Sequence, residues 1–293
     1  MYPFPFDYLD PVTVEQAIEY LQRHAEDDVK VLAGGQSLIP LMKLRFAQPS
    51  HLVDLGRVSA LDYLRLDAGW LRIGALTRER ALEDSAEVRR AFPILHDTAS
   101  VIADPVVRNL ATVGGNLAHA DPANDHPATM VALGASVVAT GPDGERVIPV
   151  EELFQGLFET VLAPDEILTE VRVPPLRPGT GAAYVKLERQ AGDFAVAAVA
   201  ARISVASGVV GDARLVYTGV GAIAQRVPEA ERILVGAAPS GERFSAAGVA
   251  AGAAMDLDDD LRGSASYKRR VVRVVTERAL RVAWRRAAGE EEP

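Results

Sequence analysis

The sequence contains no cysteine among its 293 residues. This absence excludes a disulfide bond, a thiolate nucleophile, and any zinc ion or iron–sulfur cluster held by cysteines of this chain. The first ten residues, MYPFPFDYLD, also lack the basic and apolar segments of a secretory signal peptide. Both observations favour a cytoplasmic location, with a peripheral position at the inner face of a membrane as the alternative.

Long apolar runs and an excess of positive charge are missing as well. The apolar stretches 130–138 and 194–201 are far shorter than the ~20 residues of a membrane-spanning helix, so we expect no transmembrane segment. The net charge of −9 and the pI near 5.2 argue against nucleic-acid binding, for which a basic surface is typical. The share of hydrophobic residues, 48%, is typical of a folded protein with large cores.

The first half of the chain alternates helical and strand patterns. Thr13 and Gln16 form a capping-box pattern before an apolar helical face, and a short apolar strand is predicted at 29–32. Two more strands are predicted at 52–55 and 70–76. This alternation favours α/β units.

Polar residues mark further element boundaries in this half. Ser37 and Thr77 are predicted to cap the helices that follow them, the second of which covers 79–87. A helix is predicted at 93–103, and the sequence Gly-Pro-Asp-Gly at 141–144 predicts a tight turn between two strands.

Residues 174–181 are rich in proline and glycine and predict a linker. Beyond it the pattern changes to consecutive antiparallel strands followed by helices; the predicted strands and the last helix are 184–188, 194–207, 209–220 and 267–286. With about 150 residues per domain as a guide, we expect two domains, at 1–176 and 181–287.

Two Gly-Gly pairs, at 34–35 and 114–115, each follow apolar residues and precede a possible helix start. Such loops bring backbone N–H groups against an anion, and a helix N-terminus adds a favourable dipole. Two of them could clasp a diphosphate from both sides. For either pair alone, a tight strand-to-helix turn without a ligand is the alternative. Neither pair matches the dinucleotide-binding G-x-G-x-x-G pattern or the P-loop.

The surroundings of both pairs carry a family resemblance. VLAGGQSLIPLMKLR at 31–45 and ATVGGNLAHADPANDHPATMVALGA at 111–135 resemble the FAD-binding medium subunit of the molybdenum hydroxylases, which include carbon monoxide dehydrogenase and the xanthine dehydrogenases. GALT at 74–77, PDEILTEVRVP at 164–174 and YVKLERQAGDFAVA at 184–197 are similar to further segments of that family, in the same order.

The resemblance covers nearly the whole chain and implies an α+β architecture. The expected fold is the vanillyl-alcohol-oxidase-like (PCMH-type) FAD-binding fold of two α/β subdomains. A C-terminal domain of antiparallel sheet plus helices, of the carbon monoxide dehydrogenase flavoprotein type, is expected to follow it.

The resemblance also implies contacts with FAD. The two glycine loops would hold its diphosphate from opposite sides; their residues are Val31, Leu32, Ala33, Gly34, Gly35, Gln36, Ser37 and Leu38 in the first loop and Thr112, Val113, Gly114, Gly115 and Asn116 in the second. Ile102, Ala103 and Ala111 would lie against the flavin, and Leu168 would lie beside the adenine. From residue type alone, these four belong in the core.

Asp125, with Asn124 beside it, would accept a hydrogen bond from a hydroxyl of the cofactor; an Asx-type turn before Pro127 is the alternative. A metal site is another interpretation of this segment, because its ligand types include His119, Asp121, Asp125 and His126. The spacing is not a helical His-x-x-x-His, and the resembling family turns this segment toward the cofactor. We therefore expect no metal ion.

Residues after the linker would complete the flavin site. Lys186 would place a positive charge near the flavin, where it could stabilise the reduced anionic form, and a solvated strand lysine is the alternative. Asp193 and Phe194 would lie by the isoalloxazine ring. Relatives often have tyrosine at the position of Phe194. Phenylalanine can cover the ring, but unlike tyrosine it cannot donate a hydrogen bond.

The implied function is that of an electron-transfer subunit with non-covalent FAD and no catalytic acid or base of its own. A [2Fe–2S] small subunit would supply electrons from a large subunit with the molybdenum–molybdopterin cofactor, in a dimer of heterotrimers. The final acceptor would be a quinone, NAD or oxygen. Two alternatives remain: a stand-alone FAD oxidoreductase of the same fold, which would need a proton donor over the flavin, and a non-catalytic nucleotide-binding scaffold.

Overall fold

The computed structural model describes residues 2–290. Its N-terminal subdomain is a small parallel sheet of three strands, in the order β1-β3-β2, with two helices. The elements, in chain order, are β1 Asp7–Leu9, α1 Val14–Arg23, β2 Val29–Leu32, α2 Leu38–Lys43 and β3 His51–Asp54. A separate small core forms where the apolar face of α1, including Ala17, Ile18 and Leu21, packs with residues of β3.

The second subdomain is built on an antiparallel sheet of five strands, in the order β4-β5-β10-β6-β7. Its elements are β4 Leu64–Asp67, β5 Trp70–Gly74, α3 Glu79–Asp84, α4 Ala86–Ala91, α5 Pro93–Ser100, α6 Pro105–Arg108, α7 Val113–His119, α8 His126–Leu133, β6 Ser136–Gly141, β7 Gly144–Pro149, α9 Val150–Leu153, β8 Phe154–Gly156, β9 Glu159–Thr160 and β10 Ile167–Val173. Every residue of α8 is buried, because the helix lies between this subdomain and the next domain.

The C-terminal part is an antiparallel sheet, in the order β11-β12-β13-β14, covered by helices. Its elements are β11 Thr180–Leu187, β12 Ala197–Ala206, β13 Val209–Thr218, β14 Gln225–Arg226, α10 Pro228–Leu234, α11 Gly241–Ala254 and α12 Ala265–Ala287. Small residues line the contact of α12 with the sheet. A Cβ atom at Gly181 would lie 1.9 Å from the carbonyl oxygen of Ala283, so only glycine allows this approach.

Local sequence patterns predicted some helix starts correctly and others wrongly. The Thr13 hydroxyl accepts a hydrogen bond from the Gln16 N–H and caps α1, as predicted. Ser37 makes no side-chain cap. Thr77 does not cap α3 either, because its hydroxyl donates to the Tyr63 carbonyl oxygen at 2.7 Å and the helix begins after Arg78. The predicted helix 79–87 is also broken, since Ser85 caps a new helix, α4.

The two halves of the molecule are joined by polar contacts as well as by apolar packing. Arg286, near the end of α12, donates to both carboxylate oxygens of Asp97 in α5, at 2.6 and 2.9 Å. The Thr218 hydroxyl lies 2.8 Å from the carbonyl oxygens of both Pro122 and Asn124. The segment before α8 is therefore held against β13.

These features confirm the expected α+β architecture of two subdomains followed by a sheet-plus-helix domain. Within residues 2–290, no helix combines the length and the apolar character that crossing a membrane requires.

Candidate functional site: a cavity between two glycine loops

The first glycine loop connects β2 to α2. Gly35 adopts a φ of 73°, a left-handed conformation that glycine tolerates best. The backbone N–H groups of residues 33–38 donate no hydrogen bond to another group of the described chain, and the N–H of Ile39 is the next to be paired, with the Gly35 carbonyl oxygen. None of residues 33–38 is buried, since Ser37 is exposed and the others are half-buried, so these donors are open to solvent and to a ligand with acceptor atoms.

The two glycine loops contact each other directly. A Cβ atom at Gly34 would lie 2.2 Å from the carbonyl oxygen of Leu110, just before the second loop. A Cβ atom at Gly115 would lie 3.6 Å from the Cβ atom of Ala33. The first glycine of the first loop therefore serves the contact between the loops, which explains why a side chain is excluded there.

The second loop is the N-terminus of α7. The Thr112 hydroxyl accepts from the Gly115 N–H at 3.2 Å and caps the helix. The Gly114 N–H donates to the Ala75 carbonyl oxygen at 3.0 Å, and a Cβ atom at Gly114 would lie 2.5 Å from the Cβ atom of Ala75. The GALT segment that follows β5 thus supports the second loop from behind.

A cavity of about 360 Å³ lies between the loops. It is partly open to solvent. Most of the predicted cofactor-binding residues in its wall belong to the two glycine loops. The predicted residues in its wall are Val31, Leu32, Ala33, Gly34, Gly35, Gln36, Ser37, Leu38, Ala111, Thr112, Gly114, Gly115, Asn116, Asn124 and Leu168.

Sequence reasoning missed part of this wall, namely Lys30, Leu55, Ala75, Leu76, Ala118, His119, Leu162, Glu166 and Ile167. Ala75 and Leu76 belong to the GALT segment, and Glu166 and Ile167 to the PDEILTEVRVP segment. Both segments carried the family resemblance, and that signal could have identified these four. Leu55 and Leu162 have no comparable signal.

The wall of the cavity carries little charge. Its ionisable side chains are Lys30, His119 and Glu166. Arg146 donates to both oxygens of Glu166, which holds the pKa of this carboxyl below its usual range. Burial lowers the pKa of His119, whose ring centre lies 5.2 Å from that of Phe158, and this favours the neutral imidazole. An anion in this cavity would therefore be held chiefly by backbone N–H groups.

One buried side-chain atom in the wall has no partner. The Asn124 amide donates to the Asn116 carbonyl oxygen at 2.8 Å, which fixes the position of the segment. The Oδ1 atom of Asn116 is buried and makes no hydrogen bond within the described chain. An orphaned buried acceptor indicates a missing donor, such as a hydroxyl of a ligand.

The remaining predicted residues do not line this cavity: Ile102, Ala103, Val113, Asp125, Lys186, Asp193 and Phe194. Val113 is fully buried in the core behind the second loop. Arg108 donates to the carbonyl oxygens of both Ile102 and Ala103, and Gly192 packs against the backbone of Ala103 across the boundary between the two halves. Phe194 is 45% exposed, with the Arg262 guanidinium 5.4 Å from its ring centre.

Asp125 and Lys186 form a buried cluster with Tyr184. The Tyr184 hydroxyl donates to one oxygen of Asp125 at 2.5 Å, and the Lys186 ammonium donates to the other at 3.2 Å. Lys186 also donates to the Val101 carbonyl oxygen at 2.9 Å, and its side chain is 2% exposed. Burial raises the pKa of Asp125, while Lys186 and Tyr184 oppose the rise. Both carboxylate oxygens therefore have protein partners.

The four residues considered for a metal site are directed to different partners. His119 lies in the cavity wall, and Asp121 accepts from the Ala123 N–H at 2.8 Å. His126 lies 2.6 Å from Glu79 in a pair that is completely buried, and the charge of Glu79 raises the pKa of this imidazole against the effect of burial.

Two protein-family models match the chain. "FAD binding domain in molybdopterin dehydrogenase" matches residues 4–176, and "CO dehydrogenase flavoprotein C-terminal domain" matches residues 182–283.

Two relatives match over nearly the whole of both chains. The medium chain of carbon monoxide dehydrogenase from Hydrogenophaga pseudoflava is 41% identical over 98% of this chain and 100% of its own. Subunit alpha of the 6-hydroxypseudooxynicotine dehydrogenase complex from Paenarthrobacter nicotinovorans is 40% identical over 100% of this chain and 99% of its own.

Solved structures agree with these matches. The carbon monoxide dehydrogenase of Hydrogenophaga pseudoflava, in a form that lacks the Mo-pyranopterin moiety, superposes with a TM-score of 0.94 at 43% identity, covering 98% of this chain and 99% of the other. Quinoline 2-oxidoreductase from Pseudomonas putida 86 superposes with a TM-score of 0.92 at 30% identity, covering 98% and 99%. With its glycine loops, cavity and two matching domains, this chain belongs to the FAD-binding medium subunits of the molybdenum hydroxylases.

Proposed function

We propose that the cavity between the glycine loops holds the diphosphate of one non-covalently bound FAD. The observation that carries this proposal is the run of free N–H groups at residues 33–38, opposite the N-terminus of α7. The first loop offers neutral donors, which suits a diphosphate in a wall with little positive charge. The N–H groups of residues 113–116 are paired within the protein, so the second loop contributes small residues and the dipole of α7. The unpaired Asn116 oxygen would accept from a hydroxyl of the same ligand.

The other predicted cofactor contacts remain part of the proposal. Leu168, in the cavity wall, would lie beside the adenine, and the turn of Ile102 and Ala103 would border the flavin together with Asp193 and Phe194. A direct contact of Asp125 or Lys186 with the flavin is a weaker part, because the polar atoms of both are already engaged with protein groups.

FAD, when bound, accepts and releases the electrons, and the chain supplies its position and surroundings. Electrons would come from a [2Fe–2S] small subunit, since this chain has no cysteine to hold a cluster. A large subunit with the molybdenum cofactor would carry out the substrate reaction. The external acceptor would be a quinone, NAD or oxygen.

The substrate would be bound by the large subunit rather than by this chain. Relatives of this chain are named for carbon monoxide, glyceraldehyde, nicotine and caffeine dehydrogenases or hydroxylases, although they share 31–41% identity with it. One kind of flavin subunit therefore accompanies chemically different substrates. We further propose a dimer of heterotrimers in the cytoplasm, and a division of this chain into domains at 1–176 and 181–287.

FAD retention by variants of the second loop tests the proposed site. A Cβ atom at Gly115 would lie 2.6 Å from the Thr112 hydroxyl oxygen, so Gly115→Val displaces the cap of α7 and should remove most bound FAD. Gly211→Val is the matched control, because a Cβ atom there would lie 3.9 Å from its nearest neighbour, the Ser204 carbonyl oxygen. Flavin absorbance relative to protein measures the occupancy. Full occupancy in Gly115→Val would show that the second loop is not part of the site.

A further inference from the structure

A cluster of two histidines and one aspartate lies in the N-terminal subdomain, outside the glycine-loop cavity. His24 and Asp27 belong to the turn after α1, and His51 is the first residue of β3. One nitrogen of each imidazole and one oxygen of Asp27 all lie within 4.8 Å of one another. Within residues 2–290, this is the group in which three such ligand atoms converge.

We infer that His24, Asp27 and His51 form a binding site for a single divalent transition-metal ion, with Zn²⁺ as the representative cation. Imidazole nitrogens and a carboxylate oxygen are ligands that suit zinc, and three protein ligands leave one position for water. Their geometry, their outer partners and their attachment to the fold all support this assignment.

The distances around Asp27 fit an ion placed between the three groups. Its Oδ2 atom lies 2.8 Å from Nδ1 of His24 and 3.5 Å from Nε2 of His51. The second distance is longer than an ordinary hydrogen bond. Ligand bonds of ~2.0–2.1 Å at tetrahedral angles place ligand atoms about 3.3 Å apart. The two distances from Asp27 differ from this value by about half an ångström or less. The ligand nitrogens of the two imidazoles lie within 4.8 Å of each other.

Tyr20 is the outer partner of His51, through its hydroxyl. Its hydroxyl oxygen lies 2.9 Å from Nδ1 of His51, while Nε2 faces Asp27. A metal-bound histidine usually donates its other N–H to a fixed oxygen, which orients the ring and selects the tautomer. With the Nδ1–H donated to Tyr20, the lone pair of Nε2 points to the same place as the Asp27 carboxylate. A cation at that place would bind both groups and select this tautomer, because either the hydroxyl or the ring nitrogen can donate in the contact with Tyr20.

The ligands are attached to well-defined parts of the fold. The N–H of Asp27 donates to the His24 carbonyl oxygen at 3.0 Å, which closes the turn. His51 pairs with Asp7 of β1 and with Val29 of β2, at the centre of the parallel sheet. The imidazole rings of His24 and His51 lie 4.2 Å apart and 36° from parallel. The side chain of Asp27 is 46% exposed, so an ion can enter from solvent.

A bound ion would join the turn after α1 to the central strand of this subdomain. The strand β2, which pairs with that central strand, runs directly into the first glycine loop. The three ligands are absent from the wall of the glycine-loop cavity. Zinc binding should therefore stabilise the subdomain without changing the amount of bound FAD.

Equilibrium dialysis of the untagged, chelator-treated full chain against Zn²⁺ tests this inference. One Zn²⁺ ion per chain is expected, and Asp27→Asn should weaken binding at least tenfold because the shared ligand is lost. Asp28→Asn is the matched control, because it removes one negative charge from the adjacent residue, which pairs with Lys30 at 3.2 Å. It should change the Zn²⁺ affinity less than twofold.

Two further measurements test whether each variant is folded and whether Zn²⁺ stabilises it. The flavin-to-protein absorbance ratio shows that each variant is folded, and His24→Gln replaces Asp27→Asn if the latter does not fold. Zn²⁺ should raise the thermal midpoint of the wild type and of Asp28→Asn but not of Asp27→Asn. Absence of bound Zn²⁺ in the wild type, or equal binding by Asp28→Asn and the ligand variants, would overturn the inference.

Discussion

Two polar regions of this molecule differ in how their hydrogen-bonding groups are paired. In the glycine-loop cavity, the N–H groups of residues 33–38 and the Asn116 side-chain oxygen make no hydrogen bonds within the described chain. In the cluster of Asp125, Tyr184 and Lys186, both carboxylate oxygens and the ammonium have partners. Both regions lie in segments that carry the family resemblance, so sequence similarity does not distinguish them.

This difference in pairing indicates that the cavity serves ligand binding and the cluster serves stability. The donors of residues 33–38 are half-buried or exposed and can bind a ligand in place of water, and the buried Asn116 oxygen lacks a partner, so the cavity can accept a bound group. A buried charge is tolerated only with a partner, so the cluster satisfies itself and holds β11 of the second domain against the first. Variants in the two regions should therefore separate cofactor affinity from stability.

The largest expected effect is on the stability of the paired cluster. Lys186→Met leaves the buried Asp125 carboxylate without its cation, and we expect a loss of about 3–5 kcal/mol in the free energy of unfolding. Chemical denaturation measures it. The double variant Asp125→Asn with Lys186→Met removes both charges and should recover part of the loss.

FAD affinity of the folded Lys186→Met protein should change little. A protein of wild-type stability that no longer binds FAD would assign the lysine to the cofactor site rather than to the contact between the domains.

Gly34→Ala should lower the free energy of unfolding less than Lys186→Met does, but it should weaken FAD binding more. The new Cβ atom would lie 2.2 Å from the backbone oxygen of Leu110, so the two loops must move apart. Overpacking of this kind costs about 1–3 kcal/mol, which corresponds to a loss of roughly fivefold to 150-fold in FAD affinity. Titration of the apoprotein with FAD measures this loss, and Gly211→Ala is the control. Unchanged affinity would mean that the contact between the loops does not shape the site.

The smallest expected effect is the pH dependence caused by His119. Burial puts its folded-state pKa below the ordinary value of 6.5, so the unfolded chain binds the proton more readily. Stability is complete above pH 6.5 and is lost as the pH falls toward the folded pKa, by at most about 1.4 kcal/mol per pH unit. His119→Gln should remove this part of the slope between pH 7 and 5, measured by denaturation. A slope equal to the wild-type slope would show that another group is responsible.

Local patterns predicted the fold well where the interactions themselves are local. The strand 29–32 and the cap at Thr13 were correct, because a short apolar run and a helix cap depend on residues a few positions apart. Thr77 was also predicted to cap a helix, although Arg80 stands where a capping box has Glu or Gln. The Thr77 hydroxyl donates instead to the carbonyl oxygen of Tyr63. A distant acceptor outcompeted the local cap.

The residues of the candidate site also fall into two groups, those that local patterns predict and those that only the fold brings together. Both glycine loops could be predicted, since each depends on adjacent small residues next to a helix start. Leu55 and Leu162 also line the cavity, but they come from the connections after β3 and β9, and only the folded chain brings them there. The cluster of His24, Asp27 and His51 was likewise missed, because the turn after α1 and the start of the central strand β3 meet only in the folded chain.

By itself, the sequence determined the element types, the two glycine loops and the absence of any cysteine-held cluster, because composition and neighbouring residues decide these properties. Only the tertiary structure decided which polar groups are paired. Lys186 reaches Asp125 across 61 positions, whereas the amides of residues 33–38 reach no protein acceptor. Pairing depends on distances between segments that are remote along the chain, and folding sets those distances.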